Sequence, residues 1–162
     1  MAKYAQLNKN DMINGEGVSV SYWTQGCPHR CPGCHNPETW NFDGGNEKDE
    51  ALIIEEIIKA ISANDIQRNF SVLGGEPLCE ENIASVLYII QSVKKKFPTI
   101  KIYLWTGYTF EELKKQYYQT LDIKLQNIDV LITGRYIQEE RDITLPLRGS
   151  KNQKVLYRGI DF

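Results

Sequence analysis

Val18-Ser19-Val20-Ser21-Tyr22-Trp23-Thr24-Gln25-Gly26-Cys27-Pro28-His29-Arg30-Cys31-Pro32-Gly33-Cys34-His35-Asn36 is the stretch that decides the fold. Val18 to Tyr22 alternate apolar residues with serine, the period of two that marks a strand with unlike faces. Gly26 to about Asn36 then reads as a loop carrying three cysteines in the spacing Cys27-x3-Cys31-x2-Cys34. Pro28 and Pro32, with Gly26 and Gly33, suit a tight wrap that turns backbone N–H groups toward sulfur.

Outward from that loop, apolar strands alternate with amphipathic helices. Gly44-Gly45-Asn46 reads as a turn, and Asp49 to Ala63 as a helix with Leu52, Ile53, Ile57, Ala60 and Ile61 near helical spacing. Asn69 to Leu73 is a short strand ending in Gly74-Gly75-Glu76-Pro77, and a helix from about Glu81 to Lys96 stops at Phe97-Pro98. Its Lys94-Lys95-Lys96 is expected to be solvated, at the helix end where cations suit the dipole. Ile100 to Trp105 is a third strand, Thr109-Phe110-Glu111-Glu112 fits a capping box for a third helix, and Ile128 to Ile132 is a fourth strand before Thr133-Gly134-Arg135. Val155 to Tyr157 is a candidate last strand. This order predicts an α/β fold with a mainly parallel sheet built from βαβ units. Too few units are present for a closed eight-stranded barrel, so an open partial (βα) barrel is expected, with the cysteine loop at the C-terminal strand edge.

The chain has 162 residues, 41% hydrophobic and 25% charged, with neither repeat nor low-complexity linker, which predicts one domain over 1–162. Lys plus Arg number 19 against 21 Asp plus Glu, so the basic excess of a nucleic-acid or membrane-surface binder is missing. No apolar run spans a bilayer and MAKYAQLNKNDM lacks a signal-type core, so a cytoplasmic protein is expected.

Four cysteines are present, and a disulfide framework would spread them to close long loops. Cys27, Cys31 and Cys34 crowded onto one loop instead read as metal ligands. Three thiolates can hold three irons of a 4Fe–4S cube and leave the fourth open to a small molecule. The alternative is a zinc knot with a fourth ligand from His29, His35 or Cys79, although zinc sites more often use paired C-x2-C units. Cys79, standing alone, is expected to pack as a small hydrophobe.

Cys27-x3-Cys31-x2-Cys34 after a first strand, with Gly74-Gly75-Glu76-Pro77 one strand later, resembles the radical S-adenosylmethionine superfamily. Asn14-Gly15-Glu16-Gly17, Gln25-Gly26-Cys27, Gly33-Cys34-His35-Asn36, Leu104-Trp105-Thr106-Gly107-Tyr108 and Arg148-Gly149-Ser150-Lys151-Asn152-Gln153 narrow this to its glycyl-radical-activating branch. The similarity runs over almost the whole chain.

The resemblance implies a 4Fe–4S cluster on Cys27, Cys31 and Cys34 with S-adenosyl-L-methionine chelating the open iron. Reductive cleavage would give methionine and a 5′-deoxyadenosyl radical, which takes a hydrogen from a glycine Cα of an anaerobic ribonucleoside-triphosphate reductase. The cofactors break the bonds while the protein positions them. Gly74 and Gly75 are expected where backbone approaches the methionine moiety, with the Glu76 carboxylate accepting from its ammonium. Gly33, Cys34 and His35 are expected to flank the adenine end, and His29 to sit within reach of a sulfur. Trp105, Thr106 and Tyr108 are candidates to line a channel, Arg135 to pair with a carboxylate, and Arg148 to Gln153 to dock the partner. The electron is expected from an external flavodoxin- or ferredoxin-type carrier, since no second cysteine set or dinucleotide fingerprint is present. Two points bear on the resemblance: Gly33 stands where many superfamily members carry an aromatic residue, and Thr133 where the branch commonly has Asp. Two other functions remain open at this point: a radical S-adenosylmethionine enzyme acting on a small molecule, and a zinc-binding interaction module.

Overall fold

β1 (Ala2–Asp11), β2 (Val18–Thr24), β3 (Asn46–Lys48), β4 (Arg68–Gly74), β5 (Ile102–Thr106), β6 (Val130–Thr133) and β7 (Lys154–Tyr157) form one sheet in a computed structural model that describes residues 1–162. The strand order is β3-β1-β2-β4-β5-β6-β7. The four middle strands β2, β4, β5 and β6 are parallel. The flanking pairs β1·β2, β1·β3 and β6·β7 are antiparallel, so the sheet is mixed rather than mainly parallel.

Two of the added strands were not expected. β1 carries Lys3, Gln6, Asn8 and Lys9, and its register slips between Tyr4 and Gln6 and again between Asn8 and Asp11. Polar residues and irregularities of pairing erase the alternation by which a strand is recognised. β3 is three residues of polar sequence, made a strand by pairing with Ala2 to Tyr4. β7 pairs over Lys154 to Tyr157, close to the expected span.

Helices α1 (Glu50–Ile61), α2 (Glu80–Lys96), α3 (Phe110–Tyr117) and the short α4 (Leu121–Leu125) join the parallel strands in turn. Asp49 caps α1 by accepting from the Ala51 N–H at 2.8 Å. The capping box of α3 is formed: Thr109 Oγ1 accepts from the Glu112 N–H and Glu112 Oε1 from the Thr109 N–H. α1 buries Ile53, Ile57, Ala60 and Ile61, while Leu52 is exposed; α2 buries Val86, Ile89, Ile90 and Val93. These side chains, with Leu113, Leu121 and Leu125, join Val20, Tyr22, Phe70, Val72, Ile102, Leu104 and Leu131 in one apolar cluster. All four helices therefore cover one face of the sheet. Each fully buried side chain of this size contributes about 1.5–3 kcal/mol.

The opposite face is polar at its centre. Ser19, Ser21 and Ser71 are fully buried there, beside a second small cluster of Tyr103, Val130 and Ile132. The segment 12–17 folds across it, with Ser71 Oγ donating to the Asn14 carbonyl at 2.6 Å. Asp11 anchors this segment by accepting from the Ile13 and Asn14 N–H groups, the Asn14 amide and Ser21 Oγ. At the other end of the strands, Lys94 does not stay solvated as expected. It folds onto the Ile100 carbonyl at 2.7 Å and Asp129 at 3.1 Å.

Candidate active site

The site lies where β2, β4, β5 and β6 end. The cysteine loop leaves β2 through a closed neck: the Gly26 N–H donates to the Thr39 carbonyl at 2.7 Å and the Cys27 N–H to the Trp40 carbonyl at 3.1 Å. Gln25 Nε2 adds bonds to the Glu38 and Asn41 carbonyls. Cys27, Cys31 and Cys34 are free thiols and line one cavity of about 210 Å³. Gly74, Gly75 and Glu76 from β4, Trp105, Thr106 and Gly107 from β5, and Gly134, Arg135 and Tyr136 from β6 complete its wall. The four unusual strand ends do converge. No three Cys, His, Asp or Glu side chains close on one point as ligands of a single ion.

The sulfurs are met by backbone donors. Burial pushes the Cys27 thiol up, an effect opposed by the N–H groups of His29 and Arg30. Cys31 is also raised by burial, against the Tyr136 N–H and the Arg135 charge. The Asn36 N–H donates to Cys34 Sγ at 3.4 Å. Three free thiols on one loop around one cavity are a donor set that fits an iron–sulfur cluster. Cys79 lies apart: its buried Sγ donates to the Glu76 carbonyl at 3.2 Å, and burial raises its thiol to about 12.

The glycine pair has a packing role besides the one expected of it. A Cβ on Gly74 would lie 2.6 Å from the Thr24 nitrogen, and φ there is +107°. A Cβ on Gly75 would lie 2.4 Å from the Gly26 carbonyl oxygen. Both glycines are thus required for the turn to pack on the root of the cysteine loop, before any ligand is considered. The Gly75 and Glu76 N–H groups donate to the Thr24 and Gly26 carbonyls, fastening the two segments.

Glu76 is tied within its own chain. Its carboxylate is fully buried and accepts from four donors of this chain. Oε1 takes the Leu78 N–H and Thr106 Oγ1, and Oε2 takes the Gly107 N–H and His29 Nε2, all at 2.7–2.8 Å. These four donors match the four lone-pair positions of a carboxylate. His29, expected near a sulfur, points its Nε2 to Glu76 and sets its ring edge-on to Tyr108. Of the three candidate fourth ligands for zinc, Cys79 lies apart from the cavity, and His29 has its Nε2 on Glu76.

Other assignments sort by where the side chain goes. His35 lines the cavity with its ring 5.4 Å from that of Tyr136, and Gly33 sits beneath Tyr136 and Gln138. Trp105 and Thr106 line the cavity, whereas Tyr108 turns to the apolar cluster. Arg135 makes a two-pronged pair with Glu112 of its own chain at 2.8 and 2.9 Å. That guanidinium draws the Glu112 carboxyl down to about 2. Thr133 is buried and does not line this cavity.

The tail Arg148 to Gln153 is turned inward rather than outward. Gln153 Nε2 donates to the Gly134 carbonyl and Asn152 Nδ2 to the Arg135 carbonyl, so this tail holds the β6 end in place. Asn82 was not singled out from sequence. Its buried amide lies 3.0–3.2 Å from the carbonyls of Gln25, Gly26 and Glu76. An asparagine inside the first turn of a helix gives no signal of that role without the fold. Asn14 and Tyr136 also line the cavity without having been assigned to it.

Strand ends carrying three free thiols define a class, and the comparisons agree. Residues 13–156 match the family described as a 4Fe-4S single cluster domain. Proteins named anaerobic ribonucleoside-triphosphate reductase-activating protein are similar over nearly their full length. The one from Haemophilus influenzae is 39% identical, covering 93% of this chain and 94% of the relative. That of Escherichia coli K12 is 35% identical over 94% and 96%, and that of Enterobacteria phage T4 is 35% identical over 94% and 92%. The chain belongs to this family of activating enzymes and carries a 4Fe–4S cluster domain. No helix is long and apolar enough to cross a membrane.

Proposed function

We propose that this protein activates an anaerobic ribonucleoside-triphosphate reductase by generating a glycyl radical on it, using S-adenosyl-L-methionine. The observation that carries the proposal is the placement of Cys27, Cys31 and Cys34, all free, around one cavity at the C-terminal ends of parallel strands. These three residues would hold the cluster. When bound and reduced by the external donor, the cluster would supply the single electron for reductive cleavage of S-adenosylmethionine.

The chain's own part is binding, orientation and exclusion of water. The Asn36 N–H on Cys34 Sγ would stabilise thiolate charge there. The carbonyls of Gly74 and Gly75 are the acceptors proposed for the ligand's ammonium, and Gly33, Cys34 and His35 are proposed to flank its adenine. The cavity, about 210 Å³, is below the usual range for a pocket that encloses a small molecule. It is too small to enclose a cofactor and a small substrate together, which favours an open edge that a protein partner covers. Four helices on one face, over sequentially ordered parallel strands, support reading the sheet as an open partial barrel. One sheet and one apolar cluster of 23 residues support a single domain over 1–162. An external flavodoxin- or ferredoxin-type donor completes the scheme.

The test is anaerobic incubation of the reconstituted protein with dithionite, S-adenosylmethionine and the reductase, followed by electron paramagnetic resonance. A doublet on the reductase that collapses when its glycine is deuterated is the expected result. Cleavage of S-adenosylmethionine with no radical on the reductase would refute the proposed partner.

A further inference from the structure

We propose that Glu76 and His29 form a strut that sets the position of the cysteine loop, so that Glu76 is a positioning residue acting through His29 and not a group that binds the ligand's ammonium. This rests on the reading that Cys27, Cys31 and Cys34 hold the cluster. His29 is the one side chain inside the Cys27–Cys31 segment that reaches across to another strand end. Its side chain is 5% exposed and that of Glu76 is fully buried.

The geometry leaves Glu76 no second role. Thr106 Oγ1 accepts from the Tyr108 N–H at 3.2 Å, so its own hydroxyl proton is free to go to Glu76 Oε1. Two backbone N–H groups, one hydroxyl and one imidazole N–H then fill the two carboxylate oxygens. Three of these donors lie on the β4 and β5 ends, which the sheet makes rigid, and the fourth lies on the cysteine loop. A buried carboxylate is thus shared between the strand ends and the cysteine loop. Loss of His29 leaves the frame intact and releases the loop, whereas a ligand-binding Glu76 would make no such demand on His29.

An imidazole held by a charge-assisted bond also constrains its neighbours. Cys27 and Cys31 flank His29 at two residues on either side, so the rotation of His29 fixes the chain between two sulfurs. Pro28 narrows the remaining freedom by locking its own φ. The loop should then be ordered before any metal arrives.

The experiment compares His29→Phe, His29→Gln, Glu76→Gln and the double variant His29→Phe/Glu76→Gln in the full-length chain. Hydrogen exchange at the His29, Arg30 and Cys31 amides is read in the metal-free protein, with helix-core amides as the control for global unfolding. Phe keeps the packing on Tyr108 and removes the donor, while Gln can still donate to Glu76. His29→Phe should speed exchange in the loop by about 10- to 100-fold, the range for losing one charge-assisted buried bond, with core amides unchanged. His29→Gln should restore most of the protection. Glu76→Gln places a donor against the Gly107 N–H or the Leu78 N–H and should loosen the loop as His29→Phe does. The double variant should be no worse than the poorer single one.

After reconstitution with ferrous iron and sulfide, His29→Phe should lose iron faster to a chelator. The resonance of its reduced cluster, recorded without S-adenosylmethionine, should shift and be restored in His29→Gln. If His29→Phe exchanges and retains iron as the wild type does, while Glu76→Gln loses only affinity for S-adenosylmethionine, the strut is refuted. Additive effects in the double variant would refute it as well. If Glu76→Gln does not fold, the His29 pair of variants decides alone. A Cys31→Ala control that keeps its cluster would instead refute the underlying ligand assignment.

Discussion

The two faces of the sheet are made from the same strands by opposite chemistry. On one side Phe70, Val72, Ile102 and Leu104 join the apolar side chains of the helices. One residue along, Ser71 and Tyr103 face the other way, toward segment 12–17. At the strand ends that second face opens into the cavity, where Glu76 is tied to four donors and Gln153 and Asn152 hold the β6 end. Stability thus resides in the helix-covered face and selectivity of geometry in the other. The helix face tolerates replacement at the cost of stability alone. On the site face, replacement at Glu76 or Gly75 also reaches the cysteine loop, to which Glu76 is bonded and on whose root Gly75 packs.

The sharpest way to break this division is at the cysteines. Cys27→Ala, Cys31→Ala and Cys34→Ala should each abolish a stable cluster, with iron near zero and 5′-deoxyadenosine at background. Cys79→Ala, four residues beyond Gly75, should keep four irons and cost about 1 kcal/mol as a small buried truncation. Iron analysis together with thermal unfolding separates the two. If Cys79→Ala loses its metal as Cys31→Ala does, Cys79 belongs to the site and the division fails.

Phe70→Ala probes the helix face. The side chain is fully buried, so the variant should lose about 3–5 kcal/mol in denaturant unfolding. Iron bound per folded chain should be unchanged. A drop in cluster content among folded molecules would show that packing on the helix face reaches the site.

Gly75→Ala sits on the boundary. Its Cβ would press on the Gly26 carbonyl oxygen at 2.4 Å, so the root of the cysteine loop must move. Such overpacking costs about 1–3 kcal/mol. Cluster retention should fall along with the melting temperature, whereas a purely ligand-facing glycine would lower only S-adenosylmethionine affinity. Equilibrium dialysis beside iron analysis discriminates the two.

Glu112 gives the smallest effect. Arg135 lowers its carboxyl from 4.5 to about 2, so the pair stabilises the folded chain above the unfolded value and loses that contribution as pH falls through the folded one. Both side chains are about two-fifths exposed, which limits the pair to about 1 kcal/mol or less. The melting-temperature gap between the wild type and Glu112→Gln should therefore narrow between about pH 4.5 and about pH 2. The substituted amide keeps an oxygen acceptor for the capping box, so the gap reports the ion pair. A gap that stays constant over that range would show that the pair contributes through something other than charge.

What the sequence by itself determined is whatever depends on local period and local chemistry. The parallel middle strands, the three longer helices and the Thr109–Glu112 cap follow from spacing along the chain, because a strand or helix repeats its burial every two or three to four residues. The grouping of the three cysteines on one loop was legible for the same reason, since it is carried within eight residues. β1 and β3 were not, because pairing partners rather than composition make them strands. Glu76, His29, Asn82 and the Arg148 to Gln153 tail escaped for a related reason. A buried carboxylate and an exposed one look alike in a sequence, and the donors that saturate Glu76 come from residues 29, 78, 106 and 107. Only the tertiary structure brings those donors together, and hydrogen bonds of about 3 Å decide whether a polar side chain faces a ligand or holds the frame around it.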